Sequence, residues 1–137
     1  MDNMTIGKLS KLTGLNRETL RFYEQKKLIP KPARTKSGYR LYPPDTMRRI
    51  RSIQYAKKLG FSLKEINTLF SLSINPHGTC SDIKHYTDRK ITEITKQIKA
   101  LETMRDTLTQ LSTSCSGRGP ISACPILDAF ENALNAS

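Results

Sequence analysis

The stretch Thr5-Ile6-Gly7-Lys8-Leu9-Ser10-Lys11-Leu12-Thr13-Gly14-Leu15-Asn16-Arg17-Glu18-Thr19-Leu20-Arg21-Phe22-Tyr23-Glu24 decides the fold. Ile6, Leu9 and Leu12 recur at the spacing of a helical stripe. Thr5 stands where a side chain caps a helix start, and Gly14 where a left-handed residue closes one. Asn16 is placed to cap a second helix over residues 17–27. Two short helices joined by a three-residue turn containing glycine form a helix-turn-helix pattern.

Past Leu28-Ile29-Pro30 the helical period stops. Thr35-Lys36-Ser37-Gly38 carries turn chemistry, and Tyr39-Arg40-Leu41-Tyr42 alternates like a strand, so a hairpin or wing is expected. Pro43-Pro44-Asp45 opens a third helix, marked by Met47, Ile50, Ile53, Gln54 and Ala56 and ended by Gly60. Ser62-Leu63-Lys64-Glu65 has the spacing of a capping box for a fourth helix, with Ile66, Leu69 and Phe70 inward.

After a loop over residues 75–79, residues 80–114 hold neither Pro nor Gly. That predicts a helix far longer than the usual ~11–12 residues. Ile91, Ile94, Ile98, Leu101 and Leu108 follow a 3-4-3 repeat interrupted at Arg105. A stripe so long and narrow implies a coiled-coil partner, which the rest of the chain is too short to supply, so a homodimer is expected. Residues 116–120 read as a loop. Pro125 opens a short last helix with Ile126, Leu127 and Phe130 inward.

The chain has 137 residues and a formal net charge of +11. Residues 1–60 hold 15 Lys and Arg against 4 Asp and Glu, while residues 61–137 hold 8 of each. All the excess positive charge therefore lies in the first half, the mark of a polyanion-binding module joined to a neutral one. No apolar run approaches the ~18 residues of a membrane helix. The first residues lack the layout of a signal peptide. The expectation is a soluble, cytoplasmic protein with no membrane partner, and three cysteines suit a reducing compartment.

Arg17, Thr19, Arg21 and Tyr23 are polar positions of the second helix, the element that enters the major groove in a helix-turn-helix. Arginine suits guanine edges or phosphates. Arg34, Lys36, Tyr39, Arg40 and Tyr42 of the wing suit backbone phosphates, and Gly38 permits close approach. Arg48, Arg49, Arg51, Lys57 and Lys58 add charge. Any one of these residues, taken alone, reads better as an ordinary solvated surface residue. As a set on a helix-turn-helix with a wing they point to double-stranded DNA. RNA fits less well, because the aromatic sheet that stacks bases is missing.

Arg17-Glu18-Thr19-Leu20-Arg21-Phe22-Tyr23-Glu24 resembles the recognition helix of the MerR family of transcription regulators. Ser37-Gly38-Tyr39-Arg40-Leu41-Tyr42 is similar to its wing, and Leu59-Gly60-Phe61-Ser62-Leu63-Lys64-Glu65-Ile66 to its fourth helix. The resemblance extends over the whole chain, the long helix included. It implies a dimer lying across a promoter whose spacer is too long. Effector binding would twist that DNA so that RNA polymerase can initiate.

The cysteines speak to the effector. Cys80 begins the long helix, Cys115 follows it, and Cys124 precedes Pro125. Thiolates are ligands for soft ions. At 1.5 Å per residue, Cys80 and Cys115 of one chain stand roughly 50 Å apart. Thiolates on one zinc are less than about 5 Å apart. An antiparallel dimer would bring Cys80 of one chain to Cys115 and Cys124 of the other. Three unrelated small buried cysteines are the alternative.

The arrangement is similar to the family's divalent branch, the sensors of zinc, cadmium, lead and mercury. Copper sensors resemble it at Cys115 and Cys124 but usually lack a cysteine at the position of Cys80. The zinc branch typically has a second cysteine where Ser116 stands and a histidine in the loop, and this chain has neither. Three thiolates favour large soft ions, so zinc would need a fourth ligand such as water, Ser116, His77 or His85.

The expected architecture is mainly α. A winged helix-turn-helix DNA-binding domain (1–73) precedes a long antiparallel coiled-coil dimerisation helix (80–114) and a short metal-binding loop and helix (115–137). An enzyme is not expected: a thiol enzyme or zinc hydrolase needs a positioned base or a His and carboxylate set, and neither histidine has ligand spacing to a cysteine. A metal-buffering thiol protein with incidental DNA affinity stays open, and would show no sequence preference.

Overall fold

The computed structural model describes residues 3–133. The chain divides into two compact units, Met1–Lys90 and Ile91–Ser137.

In the first unit, helix α1 (Ile6–Thr13) starts where Thr5 Oγ1 accepts the Lys8 N–H at 3.2 Å. It closes at Gly14, whose φ of 77° suits a residue without a Cβ. Helix α2 (Arg17–Gln25) starts where Asn16 Oδ1 accepts the Thr19 N–H at 2.7 Å. It stops two residues short of the sequence expectation, because Lys27 takes a φ of 60°. That turn delivers Leu28 and Ile29 into the core, where both are buried.

The expected hairpin is present, with strand β2 (Ala33–Arg34) antiparallel to β3 (Arg40–Tyr42) and Arg34 opposite Arg40. Gly38 turns the corner with a φ of 87°. A strand the sequence reading passed over, β1 (Met4–Thr5), pairs with the other edge of β3, giving the sheet order β1-β3-β2.

Helix α3 (Asp45–Lys58) packs against α1, and Gln54 Nε2 donates to the Thr13 carbonyl at 3.1 Å. Helix α4 (Leu63–Ser73) begins with the full capping box: Glu65 N–H to Ser62 Oγ at 3.1 Å, and Ser62 N–H to Glu65 Oε1 at 2.8 Å. The core of the unit joins Leu9, Leu20, Tyr23, Tyr42, Ile50, Ile53 and Ile66, all buried. Phe70 packs against it, half-buried.

Helix α5 (Cys80–Ser114) is one unbroken helix of 35 residues, over the expected span. Within the first unit, Lys90 is buried to 8% exposure. Its ammonium lies 3.0 Å from Glu65 Oε1 and 5.4 Å from the centre of the Phe61 ring. Beyond it, the stripe Ile91, Ile94, Ile98, Leu101, Met104 and Leu108 is exposed in the single chain.

The second unit continues through a short 3-10 turn (Ile121–Ala123) to helix α6 (Pro125–Ala133). The inward placement expected for α6 does not hold. Ile126 is half-buried, but Leu127 and Phe130 are 43% and 53% exposed. Among the described residues, this apolar face stays largely exposed. No helix among the described residues is long and apolar enough to cross a membrane.

Candidate nucleic-acid interface and effector cysteines

The sequence-predicted DNA-contact residues separate into surface and core groups. On α2, Arg17 and Arg21 are exposed and Thr19 is half-buried beside the Asn16 cap. Arg17 lies across α1: a Cβ at Gly7 would stand 3.0 Å from its Nη2. In the wing, Arg34, Lys36, Gly38 and Tyr39 are exposed, Tyr39 to 71%. Arg34 Nη1 donates to the Gly38 carbonyl at 2.9 Å, which stiffens the turn. Lys57, at the end of α3, is exposed, as are Arg48, Arg51 and Lys58.

Tyr23 and Tyr42, expected among the DNA contacts, lie instead in the buried core of the first unit. Tyr23 lies one helical turn from Leu20 on the inward face and is 2% exposed. Tyr42 is wholly buried, and its hydroxyl donates to Glu24 Oε2 at 3.1 Å. Burial, reinforced by the Glu24 carboxylate, pushes the phenol pKa up to about 12. A tyrosine presents an apolar body with a polar tip, so a polar position in a pattern can be a core position in space.

Two residues whose roles the sequence does not show shape this surface. Glu24 Oε2 accepts Arg40 Nε at 3.2 Å as well as the Tyr42 hydroxyl, tying β3 to α2. Nothing in its residue type singles out a carboxylate on a DNA-facing helix. Arg49, expected to add positive charge to the DNA-binding surface, is instead structural. Its Nε donates to the Leu28 carbonyl at 3.0 Å, and its guanidinium lies 3.5 Å from the centre of the Phe70 ring.

The three cysteines are free thiols. Cys80, in the first unit, is exposed. Cys115 and Cys124, in the second, are half-buried at either end of the loop between α5 and α6. The Gly117 N–H donates to Cys115 Sγ at 3.4 Å, and the Asp128 N–H to the Cys124 carbonyl at 3.1 Å, so the loop holds both sulfurs on a defined backbone. Three sulfur donors outside any disulfide are a fitting set for a soft ion. Among the described residues, no three His, Cys, Asp or Glu side chains of one chain gather into a metal-holding group. His77 and His85 are exposed, and His85 packs edge-on against Tyr86 with ring centres 5.7 Å apart. Ser116 Oγ accepts the Arg118 N–H at 3.3 Å.

A capped helix-turn-helix with a wing, followed in sequence by a long helix, is the element order of a class of transcription regulator. Residues 4–73 match the family described as MerR HTH family regulatory protein, and residues 47–111 match MerR, DNA binding. The chain belongs to the MerR family of helix-turn-helix regulators.

Among individual proteins, it is 35% identical over 128 residues to the HTH-type transcriptional regulator ZntR of Escherichia coli K12, covering 92% of this chain and 91% of that one. It is 37% identical over 125 residues to the mercuric resistance operon regulatory protein of Bacillus cereus, covering 91% of this chain and 95% of that one. The crystal structure of the transcription regulator PbrR691 from Ralstonia metallidurans CH34, in complex with lead(II), superposes with a TM-score of 0.82. It shares 31% identity, over 93% of this chain and 98% of that one.

Proposed function

We propose that this chain is a metal-responsive transcription regulator. Residues 1–73 bind promoter DNA, residues 80–114 pair two copies into an antiparallel homodimer, and residues 115–137 carry the effector loop. The effector is a divalent thiophilic ion, one of zinc, cadmium, lead or mercury, held by Cys80 of one copy and by Cys115 and Cys124 of the other. When bound it supplies a soft electrophilic centre that joins thiolates from two chains. The protein acts in the cytoplasm with RNA polymerase at the promoter, on genes of heavy-metal resistance or efflux.

The observation that carries this reading is the unbroken α5 with a cysteine at each end and an exposed apolar stripe between them. A helix of 35 residues spans roughly 50 Å, so its own end cysteines do not share one ion, whereas an antiparallel pair of such helices brings opposite ends together. Similarity to a mercuric resistance regulator and to a lead(II)-bound regulator supports a metal effector.

Transcription from a cognate promoter, measured with zinc, cadmium, lead, mercury, copper and cobalt in turn, tests the proposal. At least one divalent soft ion is expected to raise transcript yield while the DNA footprint stays in place. Release of the protein from DNA by metal would contradict activation by distortion, and no response to any ion would contradict the metal effector.

A further inference from the structure

Glu24 is a carboxylate set among cations. It lines an open groove of about 590 Å³ between α2 and the sheet, with Arg21, Lys27, Lys31 and Arg40. Its side chain is only 13% exposed, and a single oxygen, Oε2, receives both Arg40 Nε and the Tyr42 hydroxyl. Because Tyr42 is fully buried, the carboxylate is anchored from beneath by a group that does not turn away.

Arg40 also faces Arg34 directly across the β2–β3 pair, so both side chains leave the same face of the sheet. Like charges directly opposite destabilise a strand pair. Arg34 donates to the Gly38 carbonyl and Arg40 to Glu24, so each guanidinium has its own acceptor.

We propose that Glu24 is a specificity-determining positioning residue of the DNA interface: it fixes one edge of the Arg40 guanidinium against α2, so that Arg40 meets a phosphate only when wing and recognition helix fit the same duplex. The proposal rests on the DNA-binding reading above. An unpaired arginine here would serve any phosphate and add a full charge to counterion release on every sequence. A paired one keeps its terminal amino groups in a fixed, planar orientation and contributes less net charge. The carboxylate thus costs affinity for DNA in general and gains discrimination between sequences.

The test uses the full chain as wild type, Glu24→Gln and Arg40→Lys. Binding is measured across a salt series to a duplex selected by the wild type from a random pool and to a scrambled duplex of the same composition, with thermal melting alongside. For Glu24→Gln, the scrambled duplex should bind more tightly. The slope of log K against log salt should steepen by about one. The ratio of selected to scrambled binding should fall roughly five- to tenfold. For Arg40→Lys, which keeps the charge but loses the planar fork, the ratio should fall with the slope unchanged.

Wild-type ratios in both variants would overturn the proposal. So would equal weakening of both duplexes by Glu24→Gln together with a lower melting temperature, the signature of a merely structural residue. If Glu24→Gln does not fold, the ratio in Arg40→Lys decides. A wild type that itself shows no sequence preference and a flat salt response would overturn the DNA-binding reading instead.

Discussion

Up to Lys90 the chain builds a buried apolar core of its own, whereas from Ile91 onward the apolar stripe of α5 is exposed. Leu9, Leu20, Ile50, Ile53 and Ile66 are wholly buried, whereas Ile94, Ile98, Leu101 and Leu108 are 37% to 61% exposed. Charge divides in a similar way, with all the net positive charge in residues 1–60. A self-contained core lets the first unit hold a cationic surface in a defined shape. A long exposed apolar stripe on a helix, broken only at Arg105, marks a surface made for a partner. The first unit carries its folding information locally, and the exposed stripe of the second is what the proposed homodimer would cover.

The contrast breaks most sharply at Ile98. Ile98→Glu puts a charge in the middle of the stripe, so sedimentation should show a monomer. DNA affinity should fall by roughly 10²–10⁴-fold as the linkage of two half-site contacts is lost. The first unit should retain its helical signal. A variant that stays dimeric would show that the stripe is not the pairing surface.

Leu20→Ala strikes the other side of the comparison. It leaves a cavity in a core that is 0% exposed at that position, and should destabilise the first unit by about 2–5 kcal/mol in urea unfolding. A loss below ~1 kcal/mol would mean that the core is less closely packed than its burial implies.

A smaller effect is expected at Glu65, whose Oε1 both completes the α4 cap and pairs with Lys90. Glu65→Ala should cost roughly 1–2 kcal/mol. The Ser62 backbone N–H, with Lys90 beside it, holds the Glu65 carboxyl below its ordinary range. A lowered folded-state pKa gives stability that is present above the usual glutamate value of about 4.3 and is lost as pH falls through the folded value. Melting temperature should therefore drop on acidification through that window in the wild type, and drop less in Glu65→Ala. Identical acid profiles would remove this carboxylate from the account.

What could be read from the sequence follows the range of the physics involved. The caps at Thr5, Asn16 and Ser62, the left-handed Gly14 and the bounds of α5 depend on residues within a few positions of one another, and each appears where its chemistry requires. The β1 strand escaped notice because two residues, Met4 and Thr5, carry no periodicity, and only the partner β3 makes them a strand. Tyr23 and Tyr42 read by residue type as surface contacts, yet both are buried in the core of the first unit. The role of Glu24 depends on Arg40 and Tyr42, sixteen and eighteen positions away. The exposed face of α6 has a related cause: its apolar pattern is plain, but pattern alone does not say whether the cover lies within the chain.

Metal stoichiometry in a mixed dimer tests the central claim most directly. One copy carries Cys80→Ser, the other Cys115→Ser with Cys124→Ser. If Cys80 of one copy completes the pair on the other, one of the two sites in this heterodimer has all three thiolates and the other has none. The account predicts one tightly bound soft divalent ion per mixed dimer, while either parental homodimer binds poorly. Tight binding and a normal transcriptional response in the Cys80→Ser homodimer would contradict it, because Cys115 and Cys124 would then suffice without a second chain.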